Sequence, residues 1–185
     1  MSSSSQQGPG AAGGTPVDVL ISEEKLRERV LAMGAEITRD YQTKPLVLIG
    51  VLKGSFIFLA DLIRAIQLPV LVDFIGISSY QGTRSTGVVQ ITSDLTRPIE
   101  GKHVLLVEDI VDTGLTMKYL LDNLATRRPE SVRIAALLEK PTRAQVKIPI
   151  DYRGFVIKDE FVVGYGLDWD GKLRNLPFVG VPRVT

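Results

Sequence analysis

The stretch VLLVEDIVDTGLT, from Val104 to Thr116, decides how this chain is read. An apolar run of strand length, opened by His103 and continuing to Val107, meets Glu108 and Asp109 with no polar spacer between. Neighbouring residues of a strand point to opposite faces of the sheet. Two carboxylates at the rim of a buried sheet are costly to desolvate unless something cationic meets them. In open α/β sheets the carboxyl ends of the strands are where ligands sit. Asp112, Thr113, Gly114, Leu115 and Thr116 then form a short turn into a helix. Successive backbone N–H groups at such a helix start make an anion cradle, and the Thr hydroxyls add donors. Gly114, lacking a Cβ, allows a phosphate close to the backbone. Carboxylates for a metal or for sugar hydroxyls thus stand beside donors for a phosphate, which suits a phosphorylated sugar. The plain alternative is a solvated strand end followed by an ordinary helix-start turn. The loop is not of the Walker type, because no GxxxxGK[ST] occurs.

Outward from this stretch, the pattern alternates strands and helices. Upstream, Leu26, Val30, Met33 and Ile37 share one helical face, with Ser22 as N-cap and Glu23 and Glu24 in the first turn. Leu46 to Leu52 reads as a buried strand, Phe56 to Ile66 as a helix, Val70 to Ile77 and Val88 to Thr92 as strands. Ser79 to Gly87 is polar and glycine-containing, and reads as an exposed, mobile loop. Downstream, Thr116 to Leu124 is a helix and Val132 to Leu138 a buried strand. Strands apolar on both faces, alternating with helices, predict an α/β fold: a mostly parallel twisted sheet flanked by helices. After Pro141 the texture changes to short strands, prolines and aromatics, which predicts a small C-terminal hood formed mainly by residues 141–185. The expected organisation is a disordered tail over residues 1–16 and a single domain over 17–185.

Composition narrows the function classes. The 185 residues carry 22 Lys+Arg against 21 Asp+Glu, so no global basic excess argues for a polyanion binder. The absence of cysteine excludes a thiol nucleophile, disulfides and thiolate zinc sites, and a single histidine, His103, excludes a multi-histidine metal site. His103 opens a strand and is read as structural; Tyr41 is read as packing or surface. Gly8, Gly10 and Gly13 formally match GxGxxG, but neither a strand before nor a helix after them supports a dinucleotide site. No apolar run approaches a membrane span and no signal peptide is recognisable at the start, so the expected compartment is the cytoplasm.

An apolar strand, two acidic residues, two apolar residues and D-T-G-x-T resemble the phosphoribosyl-pyrophosphate (PRPP) signature of type I phosphoribosyltransferases. Other stretches reinforce the resemblance. Leu52-Lys53-Gly54 resembles that family's pyrophosphate loop, and Ser79-Tyr80 with Ser85-Thr86-Gly87 its mobile loop. LLEKPTR (Leu137 to Arg143) and DEFVVGYGLDWDGKLRNLP (Asp159 to Pro177) resemble the purine hood of its 6-oxopurine branch. The likeness runs from about Val19 to Val181.

The resemblance implies the type I phosphoribosyltransferase fold and purine salvage: transfer of the 5-phosphoribosyl group of PRPP to N9 of hypoxanthine or guanine, with Mg²⁺. It implies that Glu108 and Asp109 hold the ribose hydroxyls directly or through hydrated Mg²⁺, and that Asp112 faces N7 of the base and accepts a proton. Thr113, Gly114, Leu115 and Thr116 would bind the 5′-phosphate. Lys53, Gly54 and Arg174 would meet pyrophosphate, with an unusual cis peptide before Lys53. Asp168 would bind a second Mg²⁺, and Ser79 and Tyr80 would close over the site. Phe161 would stack on the purine, Lys140 would donate to its 6-oxo group, and the Val162 backbone would read its edge. Departures from the family pattern are Leu173 where an aromatic is frequent, Lys158 where Pro is common, and Trp169, read as hood packing, where Tyr is usual. Relatives form dimers and tetramers, so a homodimer or homotetramer is expected. The alternative on the same fold is a nucleotide-sensing regulator that binds RNA.

Overall fold

The structure, a computed structural model, describes residues 16–79 and 89–183. Its elements are β1 (Val17–Ile21), α1 (Glu23–Asp40), β2 (Leu46–Leu52), α2 (Phe56–Ala65), β3 (Leu71–Ser79), β4 (Val89–Ser93), β5 (His103–Val111), α3 (Leu115–Ala125), β6 (Ser131–Glu139), β7 (Tyr152–Val156) and β8 (Val179–Pro182). Six strands form one sheet in the order β4-β3-β2-β5-β6-β7. All neighbours in it run parallel except β3 and β4. The predicted mixed α/β architecture with a mostly parallel central sheet is therefore what the chain adopts.

Strand alternation builds a core on each face of that sheet. On one face Leu105 and Val107 of β5 pack with Leu26, Val30, Met33 and Ile37 of α1 and with Phe58, Leu59 and Leu62 of α2. On the other, Val104 and Leu106 pack with Met117, Leu120 and Leu124 of α3. The Ser22 side chain accepts from the Lys25 N–H, so the predicted N-cap starts α1. Gly34 lets α1 approach α2, since a Cβ there would lie 2.5 Å from the Ala65 Cβ.

Three features depart from the sequence-based expectation. First, β5 does not end at the acidic pair. β6 runs beside it as far as the Val111–Glu139 register, and the Lys140 N–H donates to the Val111 carbonyl, so the ladder carries the backbone past both carboxylates. Second, the stretch after Pro141 divides: β7 joins the edge of the main sheet beside β6. Third, β1, which the local pattern did not announce, pairs antiparallel with β8. That pair, with the Val163–Gly180 bridge, carries a small core of Val163, Leu176 and Phe178, against which Trp169 and Leu173 pack.

Candidate active site

The site lies at the carboxyl ends of β2, β5 and β6. Gly114 sits at φ +82 as the residue preceding α3 and has no side chain to cap it, although the Thr113 hydroxyl accepts from the Leu115 N–H at 3.4 Å. The first N–H groups of a helix have no intrahelical partner, and the helix dipole adds partial positive charge there. No acidic residue occupies the first turn of α3 to neutralise it. Glu108, Asp112, Thr113, Gly114 and Thr116 line a small pocket of about 70 Å³ at this point. An anion-accepting helix start and its flanking carboxylates, expected from the sequence, are thus brought together.

Alternation separates the two acidic neighbours. Glu108 lines the small pocket, and Asp109 lines a larger cavity of about 380 Å³ beneath the hood. Both are buried at 8 % exposure. Burial pushes the Glu108 carboxyl well above its ordinary range, and the neighbouring Asp109 charge adds to the shift. Asp109 is raised to about 6, chiefly by burial, against backbone hydrogen bonds and the Arg174 charge that lower it. The Glu108 Oε2 atom has no hydrogen-bond partner. A buried carboxyl oxygen left in this state is ready to accept a hydrogen bond from a ligand or to coordinate a cation.

The larger cavity is lined by Lys53, Gly54, Asp109, Asp112, Lys140, Phe161, Val162, Asp168 and Arg174, together with Ile110 and Leu167. The Leu52–Lys53 peptide is cis, as the resemblance implied. Gly54 is required by contact: a Cβ there would lie 1.7 Å from Asp109 Oδ2. Hood and loop are closely fitted, since a Cβ on Gly166 would come within 2.1 Å of the Gly54 carbonyl oxygen. Arg174 donates to the Gly166 carbonyl at 2.6 Å and pairs with Asp168 Oδ1 at 2.6 Å, while Asp168 Oδ2 accepts from the Gly171 N–H. Phe161 is 57 % exposed, with its edge set against Trp169 at 6.1 Å between ring centroids. Lys140 and Val162 are buried.

Two residues of the site carried no assignment from the sequence. Arg143 donates from Nε to Asp112 Oδ1 at 2.9 Å and reaches Asp159 Oδ2 at 3.5 Å. Asp159 Oδ1 lies 3.8 Å from Lys140 Nζ. Both residues fall within the quoted hood stretches, but 31 residues separate Arg143 from Asp112 along the chain, so no local spacing links them. Ser79 ends β3, while Tyr80 and the rest of the expected closing loop lie outside the described residues.

Among the described residues no three His, Asp or Glu side chains converge on one point as a metal nest. Mg²⁺ does not require one, because it keeps several waters and takes one or two carboxylates together with phosphate oxygens. The oxygen-only donors Glu108, Asp109 and Asp168, and the orphaned Glu108 Oε2 above all, fit that habit.

Comparison with known proteins converges on one family. A model of the phosphoribosyl transferase domain matches residues 22–170. The hypoxanthine phosphoribosyltransferase of Haemophilus influenzae is 49% identical over 168 residues, covering 89% of this chain and 94% of that one. Among solved structures, a hypoxanthine phosphoribosyltransferase from Staphylococcus aureus superposes with a TM-score of 0.86 at 47% identity, covering 90% of this chain and 91% of that one. The Trypanosoma cruzi hypoxanthine phosphoribosyltransferase, solved with its product IMP, gives 0.85 at 43% identity, covering 95% and 98%. With matches over most of its length and the β5 carboxylates set beside the start of α3, this chain belongs to the phosphoribosyl transferase family.

Proposed function

We propose that this protein is a cytoplasmic purine-salvage enzyme that transfers the 5-phosphoribosyl group of PRPP to N9 of a 6-oxopurine. Hypoxanthine gives IMP, guanine gives GMP, and pyrophosphate leaves. The observation that carries the reading is that Asp112 lines both the small pocket at the α3 start and the cavity beneath the hood. One carboxylate thus stands between a place for a phosphate and a place for a flat base. The relatives named above, transferases of this kind by name, support the same reading over RNA binding.

The 5′-phosphate is held by backbone N–H groups from Thr113 to Thr116. Glu108 and Asp109 hold the ribose hydroxyls. Phe161 stacks on the base, Lys140 donates to its 6-oxo group, and the Val162 backbone reads its edge. A Lys donor selects against adenine, whose 6-amino group would oppose donor to donor. The C1′–N9 bond forms as the C1′–O bond to pyrophosphate breaks, the electron pair leaving with pyrophosphate. Asp112 receives the proton from N7 of the base. Lys53, the Gly54 backbone and Arg174 meet the departing pyrophosphate. Glu108, Asp109 and Asp168 would hold Mg²⁺, which would supply charge neutralisation to the leaving group.

Residues 17–185 act as one unit, with the hood over the sheet, and assemble as a homodimer or homotetramer. An open groove of about 530 Å³ between α1, α2 and the hood, with exposed Leu31 in its wall and exposed Phe56 on α2, supports self-association. No helix among the described residues is long and apolar enough to cross a membrane. The activity is tested by following nucleotide formation from PRPP with a panel of bases. Turnover with hypoxanthine, little or none with adenine, and loss of turnover on chelation are expected. Turnover of adenine in preference to hypoxanthine, or none with any base, would overturn the reading.

A further inference from the structure

From the geometry we infer that Arg143 is a positioning residue for Asp112, holding one carboxylate oxygen so that the other is presented to the purine. The inference rests on the activity proposed above. Arg143 Nε donates to Asp112 Oδ1 at 2.9 Å, while the Asp112 side chain stays 39 % exposed, which leaves its second oxygen accessible. The carboxylate is thereby fixed from the side away from its duty, as an oriented general base requires.

Arg143 is itself held. It closes the single 3-10 turn Pro141–Arg143 that follows β6, and its N–H donates to the Lys140 carbonyl. The same segment is stitched to the phosphate turn, because the Gln145 and Val146 N–H groups both donate to the Thr113 carbonyl. The Val146 carbonyl presses on Gly114, where a Cβ would lie 2.5 Å away. Beyond Arg143, Asp159 stands between two cations: its Oδ2 reaches Arg143 at 3.5 Å and its Oδ1 lies 3.8 Å from Lys140 Nζ. Charges therefore alternate along Lys140, Asp159, Arg143 and Asp112. The row joins the side chain that reads the 6-oxo group to the one that takes the proton.

The test is a double-mutant cycle on the full-length enzyme with hypoxanthine and PRPP. Arg143→Ala should lower kcat by at least about tenfold, part of the roughly 10²–10⁴-fold that a general base contributes, while KM for PRPP changes less than about twofold. Arg143→Lys should recover part of the loss, and so should guanidinium added to Arg143→Ala. In the Asp112→Asn background, Arg143→Ala should change kcat by less than about twofold, since the group it positions has gone. Should the two losses multiply in full, or Arg143→Ala keep wild-type kcat, the inference fails. If Arg143→Ala does not melt cooperatively, Asp159→Asn and Arg143→Lys are run through the same cycle and decide between the same two outcomes. Absence of turnover in the wild-type enzyme would sink the proposed activity; wild-type turnover with undiminished variants would sink this inference alone.

Discussion

The two ends of the central sheet handle buried polar groups in opposite ways. At the amino ends of the strands, the polar groups largely satisfy one another. Tyr152 donates to Asp40 at 2.8 Å and accepts from Arg133 at 3.2 Å. Asp151 accepts from the Ile134 N–H, and His103 Nδ1 lies 2.7 Å from Ser131 Oγ. Among the described residues there, only the Tyr41 hydroxyl is buried without a partner. At the carboxyl ends, a buried carboxylate oxygen of Glu108 is left alone, and a glycine has been set against Asp109 where any side chain would collide. One end is closed with hydrogen bonds that stabilise the fold. The other buries two carboxyl groups whose charged forms are disfavoured there, so keeping them at that end costs stability that the closed end does not give up.

The sharpest way to break this contrast is to fill the space that the open end keeps clear. In Gly54→Ala the new methyl would overlap Asp109 Oδ2, and the carboxylate, the loop or both must shift. Overpacking of this kind costs about 1–3 kcal/mol. Expressed in transition-state binding, that predicts a fall in kcat/KM for PRPP of about five- to 150-fold, since 1.36 kcal/mol is a factor of ten. Steady-state kinetics measure it. Wild-type kcat/KM in this variant would mean that the carboxyl-end geometry is tolerant and the contrast overstated.

Tyr152→Phe probes the closed end. It removes one hydroxyl that both Asp40 and Arg133 use, from a residue 3 % exposed. The loss should be about 1 kcal/mol, or roughly 2–4 °C in Tm for a domain of this size. Catalysis should be unchanged, because Tyr152 lies at the opposite end of the sheet from Asp112. Loss of activity without loss of stability would show that the two ends are coupled.

Most of the fold was legible because its signals are local. β2 matches the predicted Leu46–Leu52 run, and α1 begins at the predicted cap. What could not be read was non-local. β1 depends on pairing with β8, at the far end of the chain. The full length of β5 depends on the ladder offered by β6, which outlasts the apolar run of β5 itself. The same holds at the site. Glu108, Asp109 and the Asp112–Thr116 turn are contiguous, so strand alternation and helix-start chemistry could be argued from them directly. Lys53, Lys140, Phe161, Asp168 and Arg174 were picked out by resemblance alone, and the fold gathers them around one cavity. Arg143 and Asp159 were passed over because an ion pair between distant residues leaves no trace in spacing. His103, read as structural with nothing to pair it, has its partner in Ser131 on the neighbouring strand.

The smallest effect expected is a pH dependence at the closed end. Asp73, third residue of β3, is 7 % exposed. Burial alone would raise its pKa. The Phe74 N–H, the Thr96 N–H and hydroxyl, and the Arg97 N–H all donate to it and outweigh burial, so it lies below the ordinary Asp value. A carboxylate whose pKa is depressed on folding adds stability above its unfolded pKa and loses it as pH falls through the folded value. Asp73→Asn should therefore be less stable than wild type by under about 1 kcal/mol at neutral pH, a fraction of the roughly 1.5–3 kcal/mol of hydrogen bonds to a charged acceptor, because an Asn Oδ1 turned to the Thr96 and Arg97 side still accepts most of them. That gap should narrow below about pH 4, where Asp73 of the unfolded chain takes up its proton before the folded one does. Urea melts of both proteins across this range measure it. A gap that stays constant with pH would mean that the hydrogen bonds serve shape alone, and that the closed end holds its carboxylate no more firmly than water does.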